Sequence, residues 1–118
     1  MRNVRNQVQI VGNLGRDVEI KTASNDRKWT SLNVAVNNYY FNQKGERIET
    51  TDWIRVVAWG PLAENMSKIL QKGDQVMIQG RLSTRSYEDK NQQMQYITEV
   101  VADQFLFISS PAKVVATA

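Results

Sequence analysis

Trp53 and Trp59 stand six positions apart with Arg55 between them, in the run Trp53-Ile54-Arg55-Val56-Val57-Ala58-Trp59. In an unbulged strand this spacing puts both indoles and the guanidinium on one face, opposite Ile54, Val56 and Ala58. If the aliphatic face fills a core, the aromatic and cationic face looks outward. An outward ring can stack on any planar base, for roughly 1–3 kcal/mol per base and without regard to sequence. Arginine adds a phosphate partner and a stacking plane of its own. The competing use of such a face is a subunit interface, which is enriched in the same residue types. The cation between the two rings favours base stacking.

Other residues fall near this pattern. Trp29 lies on the outward face of the preceding strand, where stacking and interface readings are evenly matched. Tyr39, Tyr40 and Phe41 are consecutive and fall in a loop, so all three cannot be buried; Tyr39 and Phe41 read as local packing and Tyr40 as the better stacking candidate. Tyr87 sits beside Arg85 near a hairpin tip, with Arg81 on the same parity. Tyr96, Phe105 and Phe107 read as core or interface.

Catalytic chemistry is poorly provided for. The 118 residues contain no His and no Cys, so Ser-His and Cys-His pairs are excluded and zinc loses its two commonest ligands. Disulfides and thiol redox chemistry are excluded too. Asp17, Glu19, Asp52, Glu88 and Asp89 are scattered on strands and turns, and no phosphate-binding glycine loop or dinucleotide fingerprint accompanies them. No enzyme, metal or cofactor is expected. Fifteen Lys and Arg against twelve Asp and Glu give only +3, so an anionic partner must meet a local patch. No apolar run is long enough to span a membrane and Met1–Gln7 lacks a signal-peptide core, so an intracellular, cytoplasmic protein is expected.

The elements that must hold these residues follow from periodicity. Val4 to Gly12 alternates, Gly12-Asn13-Leu14-Gly15 permits a bend, and alternation resumes over Asp17 to Lys21. A strand is predicted over Lys28 to Asn37, another over Ile48 to Trp59. Gly60-Pro61 then switches the period, and Leu62, Met66, Ile69 and Leu70 recur at helical spacing, with Lys72-Gly73 as the expected cap. Strand character returns over Gln75 to Leu82, with Val76, Ile78 and Leu82 on one face, and extends through Tyr87 to a turn at Glu88–Asn91. A last strand covers Met94 to about Val101, and Phe105 to Ile108 packs or pairs after it.

Strands with one short helix between the early group and a closing hairpin predict an all-β, five-stranded OB-fold barrel, the helix lying between strands three and four. Reaching five strands requires the first two segments to be one bent strand or one of them a short edge. The whole is one domain over residues 1–108, with 109–118 a flexible extension.

Several stretches resemble bacterial single-stranded DNA-binding proteins: Val11-Gly12-Asn13-Leu14-Gly15-Arg16-Asp17, Thr51 through Gly60, Leu62-Ala63-Glu64, Lys72 through Val76, Gly80 through Asp89, and Thr98-Glu99-Val100-Val101. The resemblance covers about Val4 to Ile108 with the motifs in order. It implies an oligonucleotide-binding fold, usually a homotetramer around which single-stranded DNA wraps, acting in replication, recombination and repair and associated with the nucleoid. The family's stacking positions fall on Tyr40, Trp53, Trp59 and Tyr87. Arg55, Lys72, Arg81 and Arg85 look like phosphate contacts, with Arg16 and Lys21 as further candidates.

The chain departs from the family in three places. Tyr40 and Tyr87 stand where Trp is common, and Trp59 where Phe is common, so rings persist with altered stacking strength. Ile54 replaces a frequent His at a subunit contact. The family's acidic tip has no counterpart after Asp103, Lys113 being the only later charge, so recruitment of partner proteins through such a tip is not expected here. RNA binding, a primosome-accessory role, and an assembly protein whose outward tryptophans bind only other subunits are the alternative functions.

Overall fold

A computed structural model describes residues 5–110. Its strands are β1 (Val8–Leu14), β2 (Lys21–Thr22), β3 (Lys28–Phe41), β4 (Arg47–Trp59), β5 (Gln75–Glu88) and β6 (Met94–Ser109), with one helix, α1 (Pro61–Ile69), between β4 and β5. The sheet runs β1-β5-β6-β4-β3 and closes on itself where Asn13 and Leu14 of β1 pair with Ala35 and Val34 of β3. The result is a closed five-stranded barrel of the OB type, with β2 a two-residue edge on β3. Every pairing is antiparallel except β4 with β6, where Val56 and Val57 lie beside Val100 and Val101.

Alternating residues fill the barrel. Leu32 and Val34, Val56 and Ala58, Val76 and Ile78, and Val100 are buried from β3 to β6, and α1 adds Ala63 and Met66 against β3, β4 and β6. Small residues are needed where strands run closest, as at the β5–β6 register shift. A Cβ on Gly80 would lie well inside contact distance of the Val101 carbonyl oxygen.

Several expectations need correction. The alternation over Asp17–Lys21 is real in that Val18 and Ile20 pack against the core, but only Lys21 and Thr22 join a ladder. The Glu19 carbonyl accepts a hydrogen bond from the Thr30 hydroxyl (2.6 Å). Tyr39, Tyr40 and Phe41 belong to β3 rather than to a loop, pairing with Glu49, Ile48 and Arg47, because β3 and β4 continue beyond the barrel as a two-stranded arm. Its turn is closed by the Asn42 side-chain oxygen, which accepts from the backbone N–H groups of Lys44 and Glu46.

Leu82, on the same face as the buried Val76 and Ile78, is 49% exposed because the barrel ends before β5 does. The final strand is continuous to Ser109, with Asp103 and Ile108 as extra residues where the β5–β6 register shifts. Ser110 is buried, and the remainder of the expected extension, with Lys113, lies outside the described residues. Gly73 does not cap the helix. Leu70 ends it in an extended conformation, and Gly73 (φ 90°) serves a separate turn from Gln71 to Asp74, donating its N–H to the Leu14 carbonyl. Tyr96 is 73% exposed and so is no core residue, whereas Phe105 and Phe107 pack against the core.

Candidate nucleic-acid interface

The outward face of β4 forms the middle of an open groove of about 880 Å³. Its floor is Val57 and Val101, and its walls carry Trp59, Arg55, Arg81 and Arg85, all named from sequence. β4 is paired without a register shift over its whole length with β3, so the parity that places Trp53, Arg55, Val57 and Trp59 together is preserved. Ile54 points the other way and packs against the core.

Trp29, left open between two roles, lies directly across the ladder from Trp59 and lines the same groove. The two ring centroids are 5.9 Å apart with planes tilted by 31°. A cation covers each ring: Lys21 Nζ stands 5.1 Å from the Trp29 ring, and the Arg27 guanidinium 4.7 Å from the Trp59 ring. Exposed cation–π contacts contribute about 0.5–1 kcal/mol, less than the roughly 1–3 kcal/mol of a stacked base.

Two groove residues were missed. Arg27 immediately precedes β3, two positions before Trp29, a signal hidden by its place beside the turn read at Ser24-Asn25-Asp26. Glu99 lies on β6 with its side chain only 6% exposed, and its two oxygens accept from Arg55 Nε (2.8 Å) and Arg85 Nε (3.0 Å). A buried carboxylate thus sets two guanidiniums side by side and offsets part of their charge. Arg27 and Arg81 have no carboxylate partner among the described residues. Glu99 falls in the Thr98–Val101 stretch of the family resemblance, but its role is not legible there because its pairing depends on cross-strand register.

The remaining predicted residues are dispersed around this centre. Trp53, 63% exposed, continues the same face of β4 and leans over the chain at Gly15, where a Cβ would come within 2.7 Å of its ring. Tyr87 continues the Arg81–Arg85 alternation onto the β5–β6 arm and is exposed. Tyr40 is also exposed, but strand alternation sets it on the opposite side of β3 from Trp29, so the four predicted rings do not form one flat platform. Arg16 and Lys21 line a small polar hollow with Asp17, Glu19 and Ser31, beyond Trp29. Lys72 stands apart from the groove in the turn after α1, its backbone N–H bonded to the Asp17 carboxylate (2.7 Å). No group of acidic residues among those described could hold a metal ion.

This closed barrel with an arginine-lined aromatic groove can be set beside known proteins. Residues 5–108 match the model of the single-strand binding protein family. The chain belongs to that family. It is 39% identical over 107 residues to a single-stranded DNA-binding protein of Streptococcus mutans, and 41% identical over 103 residues to single-stranded DNA-binding protein 1 of Staphylococcus aureus. Those matches take in 91% and 87% of this chain but only 64% and 65% of the relatives, so the chain spans less than two-thirds of their length. Among solved structures, a Plasmodium falciparum SSB complex with ssDNA superposes with a TM-score of 0.81 at 26% identity, covering 92% of this chain and 99% of that one.

Proposed function

We propose that this member of the single-strand binding protein family binds single-stranded DNA with little regard to sequence, without catalysis, and coats exposed strands during replication, recombination and repair in the cytoplasm, at the nucleoid. The observation that carries the reading is the groove itself, where Trp59 and Trp29 stand among four arginines on an outward sheet face. Bases stack on Trp59, Trp53, Tyr87 and Tyr40, and phosphates meet Arg55, Arg81 and Arg85, with Arg16, Lys21 and Lys72 as outlying contacts. Because Tyr40 faces away from Trp29, the strand would turn around the β3–β4 arm rather than lie flat. The named DNA-binding relatives and the DNA-bound structural neighbour favour this reading over RNA binding.

Self-association into a homotetramer belongs to the same proposal. An apolar row of Val11, Met77 and Leu106 crosses the outer faces of β1, β5 and β6, away from the groove. An interface there leaves the tryptophans free for bases. No helix among the described residues is long and apolar enough to cross a membrane.

The test is intrinsic tryptophan fluorescence during titration with oligothymidylate at several salt concentrations, repeated with Trp53→Ala. Strong quenching that weakens with salt and with the substitution is expected. If about four phosphates are neutralised per domain, the log–log salt slope should be near −3. Absence of quenching would assign the outward rings to a protein interface instead.

A further inference from the structure

We infer that Trp29 and Trp59 form one base-binding subsite whose rings are covered in the free protein by Lys21 and Arg27, and that Arg27 leaves the ring for a phosphate when a base stacks. The inference rests on the single-stranded DNA reading and deepens it at two residues, Trp29 and Arg27.

The two tryptophans face each other across the β3–β4 ladder, with no register shift between them. A tilt of 31° at 5.9 Å is too open for a closed ring stack, and both rings remain only partly buried. Each tryptophan has a cation over its ring. Neither Lys21 nor Arg27 has a carboxylate partner among the described residues, in contrast to Arg55 and Arg85, which Glu99 holds. Arg27 is exposed just before β3, its backbone held by the Asn25 side chain and by Ala23, so the exchange asks only its side chain to turn from the ring toward a phosphate.

An arriving nucleotide offers a better partner for each component. Its base is a larger planar partner for the indole than the guanidinium, and its phosphate is a stronger partner for the guanidinium than a ring. The exchange keeps the apolar ring faces covered in the free state and releases a cation where the polyanion needs one. It also distinguishes the groove's arginines: Glu99 holds two in place, whereas Arg27 is spent on the ring until DNA arrives.

The experiment compares the parent chain with Arg27→Ala, Arg27→Lys and Trp29→Ala. Each binds labelled oligothymidylate over a range of salt, and the same thymidine oligomer on an uncharged methylphosphonate backbone. With Arg27→Ala, binding of the charged oligomer should weaken several-fold and its log–log salt slope become shallower by about 0.7, one phosphate's worth. The uncharged oligomer should bind at least as well as to the parent, because the Trp59 face is open. Arg27→Lys should keep the parent slope. Trp29→Ala should weaken both oligomers.

An unchanged slope with Arg27→Ala, or equal weakening of both oligomers, would overturn the exchange and leave Arg27 a structural cover, as would a loss confined to melting temperature. Unaltered binding by Trp29→Ala would overturn the shared subsite. If the parent chain itself fails to bind the charged oligomer, the single-stranded DNA reading falls, and this inference with it.

Discussion

Glu99 is the residue on which the groove's electrostatics turn. A buried carboxylate on a surface proposed to meet a polyanion would oppose binding by its charge, yet here it accepts hydrogen bonds from two arginines. Charge-assisted bonds of this kind contribute about 1.5–3 kcal/mol when well sheltered. Solvent at Arg85, whose side chain is 50% exposed, reduces that figure. Glu99→Gln should therefore lower stability by about 1–2 kcal/mol in denaturant titrations. It should also steepen the salt dependence of oligothymidylate binding, since one opposing charge has gone. Stability unchanged by Glu99→Gln would mean that the guanidiniums hold themselves in place. Gly15 works by size. Its Cα faces the Trp53 ring so closely that Gly15→Ala must push the indole aside. Weaker quenching by oligothymidylate with little change in melting temperature is the expected result.

At the scale of elements, the tight passage of β5 along β6 depends on Gly80, where their register shifts. A methyl group there meets backbone, which cannot turn away as a side chain can, so Gly80→Ala should cost about 3 kcal/mol or more and lower the melting temperature by roughly 10 °C or more. The β5–β6 arm has its own switch at Asp89. Its carboxyl is held below its usual value, first by the backbone N–H of Gln93, with the Gln95 side chain and the Asn91 N–H adding to the effect against some desolvation. A lowered folded pKa means that the turn is fully supported above the ordinary carboxylate range near pH 4 and loses that support as pH falls through the lowered value. The amide resonances of Asn91 and Gln93 should titrate with a midpoint below that of a free aspartate; a midpoint at the free value would show that the bonds do not persist in solution. Local pattern made much of this architecture legible. Alternation from Trp53 to Trp59 is unbulged, so parity alone placed Trp59 and Arg55 on one outward face. What stayed hidden depends on contacts distant in sequence. Glu99 meets Arg55 across 44 positions and a parallel pairing that no alternation encodes. Arg27 was obscured by polar neighbours, and the arm carrying Tyr39–Phe41 reads as a loop because residues past the end of a barrel lose their inside–outside contrast.

For the molecule as a whole, the proposed DNA binding and the proposed self-association need separate surfaces, and the barrel offers a candidate for each. The groove takes one side of the sheet through β3, β4, β6 and β5, while the Val11–Met77–Leu106 row lies on β1, β5 and β6 with no charged residue in it. Leu106 is 58% exposed and Val11 39%, which costs little in isolation but becomes favourable once a second copy covers them. Full burial of one such side chain contributes about 1.5–3 kcal/mol, and in a two-fold interface each residue is counted twice. Leu106→Asp therefore removes an apolar contact from each subunit and puts a carboxylate into the proposed interface. Sedimentation should show the assembly falling to smaller species, while each subunit's tryptophans remain quenched by short oligothymidylate. The length of DNA covered per particle should fall in step with the mass. If the mass is unchanged, the subunits meet elsewhere; if mass and quenching are lost together, the tryptophan groove is itself the interface, and the single-stranded DNA reading gives way to assembly.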